Sequence, residues 1–151
     1  MNVGDTVDDF ELHDQDGNAW RLSEHLADGP VVLFFFPAAM TPGCTKEACH
    51  FRDLSADFAA AGVQRVGISL DGVDRQREFA DRNAFDFPLL ADVDGNVSKA
   101  FGVKRPISML KVKRQTFVVG TDSTLVGQVR SELDMHRHAD ESLRIATVAE
   151  R

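Results

Sequence analysis

Two cysteines, Cys44 and Cys49, lie five positions apart in the stretch Pro37-Ala38-Ala39-Met40-Thr41-Pro42-Gly43-Cys44-Thr45-Lys46-Glu47-Ala48-Cys49, and the chain has no other thiol. An ionised thiol is a strong nucleophile, and the residues before Cys44 favour ionisation. Thr41 is a good N-cap, and Pro42 suits the first helical position, where its missing N–H is not needed. On that register Cys44 falls in the first helical turn. Free backbone N–H groups and the positive end of the helix dipole favour a thiolate there, and the Thr41 hydroxyl can turn toward the sulfur. The competing readings are a small buried hydrophobe for Cys44 and an inert helical thiol for Cys49.

The hydrophobic pattern predicts the elements that must hold this segment. Val31-Val32-Leu33-Phe34-Phe35-Phe36 is a continuous apolar run after Gly29-Pro30, stopped by Pro37, and reads as a strand buried on both faces. Gln64 to Leu70 reads as another. Between them Cys44 to Ala61 has helical spacing, with Phe51, Leu54, Phe58 and Ala61 on one side and Lys46, His50, Asp53 and Asp57 on another. Strand, helix, strand implies a parallel pair with a right-handed crossover. Gly72 to Ala84 predicts a second amphipathic helix, Phe87 to Ala91 a short strand, and Asn96 to Phe101 a brief helix closed by Gly102. Thr116 to Gly120 and Thr124 to Val129 predict a hairpin about Thr121, Asp122 and Ser123, and Ala139 to Ala149 a last helix. Asp14 to Gly17 adds a turn between strands near the start. This order argues for an α/β fold, a three-layer sandwich with a mixed central sheet.

With 151 residues, 43% of them hydrophobic, one domain over residues 1–151 is expected. A formal charge of -7 without a basic, aromatic-interleaved stripe speaks against a nucleic-acid partner. The first residues lack a secretory pattern and no apolar stretch reaches membrane-spanning length, so a soluble, cytoplasmic protein without membrane contact is expected. Cysteines in that reducing compartment are chemical more often than structural. Five histidines, His13, His25, His50, His136 and His138, are scattered, and His136-x-His138 without a third ligand reads as surface rather than as a metal site. Trp20 and the Phe34 to Phe36 run read as core. Lys104, Arg105, Lys111, Lys113 and Arg114 form a basic patch on an acidic chain. It reads as a solvated loop, or as a source of positive potential near the thiolate that helps dock an acidic reductant. Met109 and Leu110 within it either cap the site or join the core.

Pro37, Thr41 and Cys44 match the P-x-x-x-T-x-x-C signature of the peroxiredoxins, and the wider stretch resembles their bacterioferritin-comigratory or Q-type branch. Val3-Gly4-Asp5 with Asp9-Phe10-Glu11-Leu12 resembles the family's opening segment. Arg114-Gln115-Thr116-Phe117-Val118 resembles its active-site arginine and the core strand that follows. Asp8 stands where the family usually has proline, and Lys104 to Lys113 follows no family pattern. The resemblance implies a thioredoxin-like fold and reduction of hydrogen peroxide or organic hydroperoxides without metal or organic cofactor. It implies Cys44 as peroxidatic nucleophile, Thr41 and Arg114 as groups that align and polarise the peroxide, and Pro37 as a shield for the sulfur. Cys49 matches the resolving cysteine of many Q-type members, which would close an intramolecular disulfide for thioredoxin or another dithiol or thiol to reduce. No cysteine follows Cys49, so the typical intersubunit mechanism does not apply, and a monomer or a homodimer is expected. The alternatives are a one-cysteine peroxidase resolved by an external thiol, a redox sensor, and a thiol–disulfide oxidoreductase, though the last normally uses Cys-x-x-Cys.

Two magnitudes sharpen these expectations. A thiol with pKa ~8.5 is roughly 7% ionised near pH 7.4, so full ionisation gains only ~13-fold, whereas enzymes commonly need ~10⁶ or more. Donors that grip the O–O bond as charge develops must supply the rest, a task for Arg114, Thr41 and backbone N–H groups. In one regular helix, Cys44 and Cys49 would be ~140° apart with Cα atoms ~8.7 Å apart, beyond the ~7 Å that a disulfide spans, so resolution is expected to need local unwinding. The same wheel places Glu47 on the apolar face with Ala48, Phe51 and Leu54. Glu47 is either a solvated helical acid or an inward carboxylate that needs a partner, and Arg114 is then the predicted one.

Overall fold

A computed structural model describes residues 1–105 and 112–149. Along these the elements are β1 (Glu11–His13), β2 (Ala19–Arg21), α1 (Leu22–Leu26), β3 (Val31–Phe35), α2 (Pro42–Asp53), α3 (Ser55–Ala61), β4 (Gln64–Ser69), α4 (Val73–Asn83), β5 (Leu89–Ala91), α5 (Asn96–Ala100), β6 (Gln115–Val119), β7 (Leu125–Arg130) and α6 (Met135–Ala149). The strands form one sheet in the order β2-β1-β5-β4-β3-β6-β7. Central β3 runs parallel to β4 and antiparallel to β6, so the sheet is mixed, as the sequence predicts.

The alternation of a strand divides the apolar run of β3 between two cores. Val31, Leu33 and Phe35 face one, with Leu22 and Leu26 of α1, Val97 of α5 and Phe117 of β6. Val32, Phe34 and Phe36 face the other, beneath α2, α3, α4 and α6, where they meet Phe51, Phe58, Phe79 and Ala139. The Phe34 and Phe51 rings stack with centroids 4.2 Å apart, fixing α2 on the sheet directly behind the cysteine turn. Each fully buried phenylalanine contributes about 1.5–3 kcal/mol over an exposed one. The result is the three-layer, thioredoxin-like arrangement.

Register then places the site. Phe35, the last residue of β3, pairs with Gln115, the first of β6. Arg114 therefore enters the sheet beside the end of β3, from which the chain runs on through Pro37 to the start of α2. Ligand sites in such sheets gather at the carboxyl ends of the strands.

Several elements differ from expectation. The single helix predicted from Cys44 to Ala61 is two, α2 and α3, broken at Leu54, whose φ of -92° and ψ of 17° leave the helical range. Arg65 accounts for the break: its Nη1 donates to the Phe51 carbonyl at 2.8 Å and its Nη2 to Asp86 Oδ2 at 2.9 Å, while Ser55 Oγ donates to the same carboxylate at 2.6 Å. Helix α6 starts at Met135 rather than Ala139, because the Arg137 N–H finds Asp134 Oδ1 at 3.2 Å. β5 begins at Leu89, not Phe87. The five-residue α1 lacks a predicted counterpart.

Candidate active site

The loop after β3 is held from the side. Pro37 is half-buried where the strand stops. Beyond it, the Ala39 N–H donates to Asp71 Oδ2 at 2.8 Å, and that carboxylate also accepts from Ser69 Oγ at 2.7 Å and from Arg75 Nε at 3.2 Å. Asp71 thus ties the loop to the end of β4. Met40 takes a left-handed φ of 64°, turning the chain into α2. Thr41 has the extended backbone of an N-cap, but its exposed side chain makes no cap hydrogen bond. Its hydroxyl donates instead to the Ala38 carbonyl at 2.8 Å, so in this state it braces the loop and faces neither the helix N–H groups nor the sulfur. Pro42 opens the helix as expected.

Cys44 lies in that first turn, 1% exposed. Arg114 reaches it from the head of β6: Nη2 donates to Cys44 Sγ at 3.3 Å while Nη1 donates to Glu47 Oε1 at 2.8 Å. One planar guanidinium thus spans the sulfur and a carboxyl one helical turn further on. The predicted contact between Glu47 and Arg114 is present, and Glu47 is 0% exposed. Burial pushes the Glu47 carboxyl up to about 8, against the pull of Arg114. Burial also works against the charge of Arg114, but Glu47 and Cys44 outweigh it and hold the guanidinium above its ordinary value. Gly43 makes the approach feasible, since a Cβ there would sit 3.2 Å from Arg114 Nη2.

Cys49 is turned elsewhere. Half-buried, it contacts Asn83 Oδ1 at the end of α4, with its Sγ 3.6 Å away, and burial raises its thiol pKa against the influence of Arg52. Both thiols are free. The two sulfurs meet different partners from one intact helix.

His138 corrects the reading of the histidines. The ring is 0% exposed, between Thr116 Oγ1 at 2.8 Å and the Ser131 carbonyl at 2.7 Å. His136 is exposed, as expected, and stacks on His50 at 4.1 Å. Arg114 is likewise no member of a solvated patch. Lys104 and Lys113 are exposed, Arg105 pairs with Glu132, and Arg114 is buried. Met109, Leu110 and Lys111 lie outside the described residues. Among the described residues, no group of three metal-ligating side chains gathers, and no helix is long and apolar enough to cross a membrane. Three participants escaped the sequence reading: Asp71, His138 and the spacing role of Gly43. Asp71, just past the end of a predicted strand, carried a signal; the other two depend on contacts across the fold.

A cysteine buried in the first turn of a helix, at the carboxyl end of a central strand and bonded to a guanidinium, defines a thioredoxin-fold protein whose chemistry happens at sulfur. The AhpC/TSA family model matches residues 3–128. A Mycobacterium tuberculosis protein carrying the name peroxiredoxin is 57% identical over 145 residues, covering 95% of this chain and 94% of its own. The crystal structure of the peroxidoxin BcpB from Mycobacterium tuberculosis superposes with a TM-score of 0.94 at 55% identity, over 100% of this chain and 99% of that one. A Xanthomonas campestris bacterioferritin comigratory protein, described for its alkyl peroxide reduction activity, gives a TM-score of 0.86 at 28% identity, over 94% of this chain and 92% of its own. The chain belongs to the AhpC/TSA family and is a peroxiredoxin of the bacterioferritin-comigratory or Q type.

Proposed function

We propose that the chain is a hydroperoxide reductase in which Cys44 is the peroxidatic sulfur and Cys49 the resolving one. The observation that carries this reading is the Arg114 guanidinium at 3.3 Å from a nearly buried Cys44 Sγ. A sulfur so enclosed admits the slender O–O end of a peroxide and resists the bulk of a protein disulfide, which favours peroxide reduction over disulfide exchange. The ionised sulfur attacks the nearer oxygen, the O–O bond breaks, and Cys44 becomes a sulfenic acid as the other oxygen leaves and takes a proton to become water or an alcohol. Arg114 faces the charge that moves off the sulfur onto the departing oxygen. Cys49 then displaces water from the sulfenic acid, forming a disulfide that an external dithiol such as thioredoxin reduces. Hydrogen peroxide and alkyl hydroperoxides are the proposed substrates, in a reducing cytoplasm.

The intact α2 supports a local-unfolding step before the disulfide, since the Cys49 sulfur contacts Asn83 while Cys44 contacts Arg114. The test is peroxide consumption with a thiol reductant for wild type, Cys44→Ser and Cys49→Ser. Loss of consumption with Cys44→Ser, and a Cys49→Ser protein that turns over only with a small external thiol, are expected. Undiminished consumption by Cys44→Ser refutes the proposal, and reduction of insulin disulfides in place of peroxide would assign the thiol–disulfide class instead.

A further inference from the structure

Two buried atoms at the heart of the site, Glu47 Oε2 and Arg114 Nε, have no hydrogen-bond partner among the described residues. The other carboxyl oxygen, Glu47 Oε1, accepts from Arg114. Facing Oε2 at 3.5 Å is Nδ1 of His138, on α6. The Nε2 atom of that ring lies 2.7 Å from the Ser131 carbonyl, which only accepts, so Nε2 carries a hydrogen and Nδ1 is the position that gains or lacks one. The Thr116 hydroxyl, 2.8 Å from Nδ1, donates to a bare nitrogen or accepts from a protonated one, and so tolerates both states. Glu47 from α2, Arg114 from the head of β6, Glu132 from the turn before α6 and Arg137 from α6 itself are the charged groups that act on this pair.

We infer that His138 is a positioning residue for the peroxide reaction: it shares one buried proton with Glu47 across Nδ1 and Oε2, and thereby fixes the carboxyl that aims Arg114 at the Cys44 sulfur. Burial raises the Glu47 carboxyl to about 8 and lowers the imidazole, against the effect of the Ser131 carbonyl, so the proton rests on the carboxyl side. In that state the Oε2 hydrogen points toward the single Nδ1 lone pair, which it shares with the nearer Thr116 hydroxyl, and Oε1 receives Arg114 as a neutral acid would. The guanidinium charge is then shared with no full carboxylate and acts on the sulfur and the departing oxygen. This inference rests on the proposed role of Cys44.

Asparagine and glutamine separate the two ring nitrogens, because an asparagine amide reaches the position of Nδ1 and a glutamine amide that of Nε2. His138→Gln keeps a donor for Ser131 and removes the partner of Glu47; His138→Asn does the reverse. The rate constant for Cys44 oxidation by hydrogen peroxide is expected to fall about tenfold in His138→Gln and to stay within about threefold of wild type in His138→Asn. The pH at which the wild-type rate changes, as the pair loses its proton, is expected to move in His138→Gln. Equal losses in the two variants, or a wild-type rate and pH profile in His138→Gln, overturn the inference, since they leave His138 only a structural tie. A second readout is independent of turnover: the infrared carbonyl band of protonated Glu47 at neutral pH, identified by its disappearance in Glu47→Gln and expected to shift in His138→Gln. If wild type shows that His138-dependent band but reduces no peroxide, the reading of Cys44 falls and the pairing stands. If the band is absent or indifferent to His138, the pairing falls.

Discussion

Gly43→Ala is expected to slow the attack on peroxide without weakening the fold. The added Cβ would sit 3.2 Å from Arg114 Nη2, with the Met135 side chain no nearer than 3.7 Å, so the guanidinium is what must yield. Its retreat by a few tenths of an ångström lengthens the 3.3 Å contact to Cys44 Sγ. A hydrogen bond to a charged group is worth about 1.5–3 kcal/mol, and forfeiting roughly half of it raises the barrier by about 1 kcal/mol, or about fivefold in rate. The folded state changes little. Gly43 lies in the first turn of α2 without a positive φ, and glycine to alanine at such a position stabilises by about 0.4–1 kcal/mol through the unfolded chain. That gain is set against the weakened hydrogen bond to Cys44, so a melting temperature unchanged within about 3 °C is expected. Stopped-flow oxidation of Cys44 and a thermal melt on the same protein check both halves. An undiminished rate, or a rate and a stability that fall together, would refute the argument that Gly43 exists to admit Arg114.

Glu47→Gln is expected to reduce turnover modestly and to flatten the dependence of stability on pH. The Glu47 carboxyl rises on folding from 4.5 to about 8, so the folded protein holds that proton more tightly than the unfolded chain. Wild-type stability should therefore decline as pH rises from about 4.5 to about 8 through this group, and urea titrations of the variant should lose that slope. His138 acts in the opposite sense: its imidazole is lowered from 6.5 by burial, so the stability it contributes is present above 6.5 and is lost as pH falls through the lower folded-state value, a loss that His138→Asn should remove in urea titrations carried downward from pH 6.5. Cys49→Ser treated with one equivalent of peroxide should gain oxygen by intact mass where wild type loses two hydrogens, and amide exchange in oxidised wild type should show lost protection in the first turns of α2.

The parts of this protein that could be read from its sequence are those whose cause is local. The β3 run, bounded by Pro30 and Pro37, needs no partner to declare itself a buried strand, and Thr41-Pro42 marks the start of α2 through backbone chemistry alone. Glu47 was legible because a carboxylate on an apolar helical face demands a cation. What escaped has its cause far along the chain. The break at Leu54 has no glycine or proline to announce it and is made by Arg65 and Asp86. The burial of His138 depends on Thr116, 22 positions away, and on small neighbours, Ala139, Ser142 and Ala146, that give α6 little apolar signature. Thr41 is an N-cap by backbone but not by side chain, because the Ala38 carbonyl in the preceding loop competes for its hydroxyl.

The most direct test asks whether Arg114 acts on the peroxide as well as on the sulfur. Arg114→Gln, made in the Glu47→Gln background so that no carboxylate is left buried alone, is compared with Glu47→Gln for oxidation of Cys44 by hydrogen peroxide and for its alkylation by iodoacetamide. Both reactions need the thiolate, so any loss of ionisation slows the two alike. Peroxide oxidation is expected to fall by about 100-fold or more while alkylation falls by far less. Equal losses in the two reactions would contradict the account, leaving Arg114 as a partner of the sulfur with no part in breaking the O–O bond.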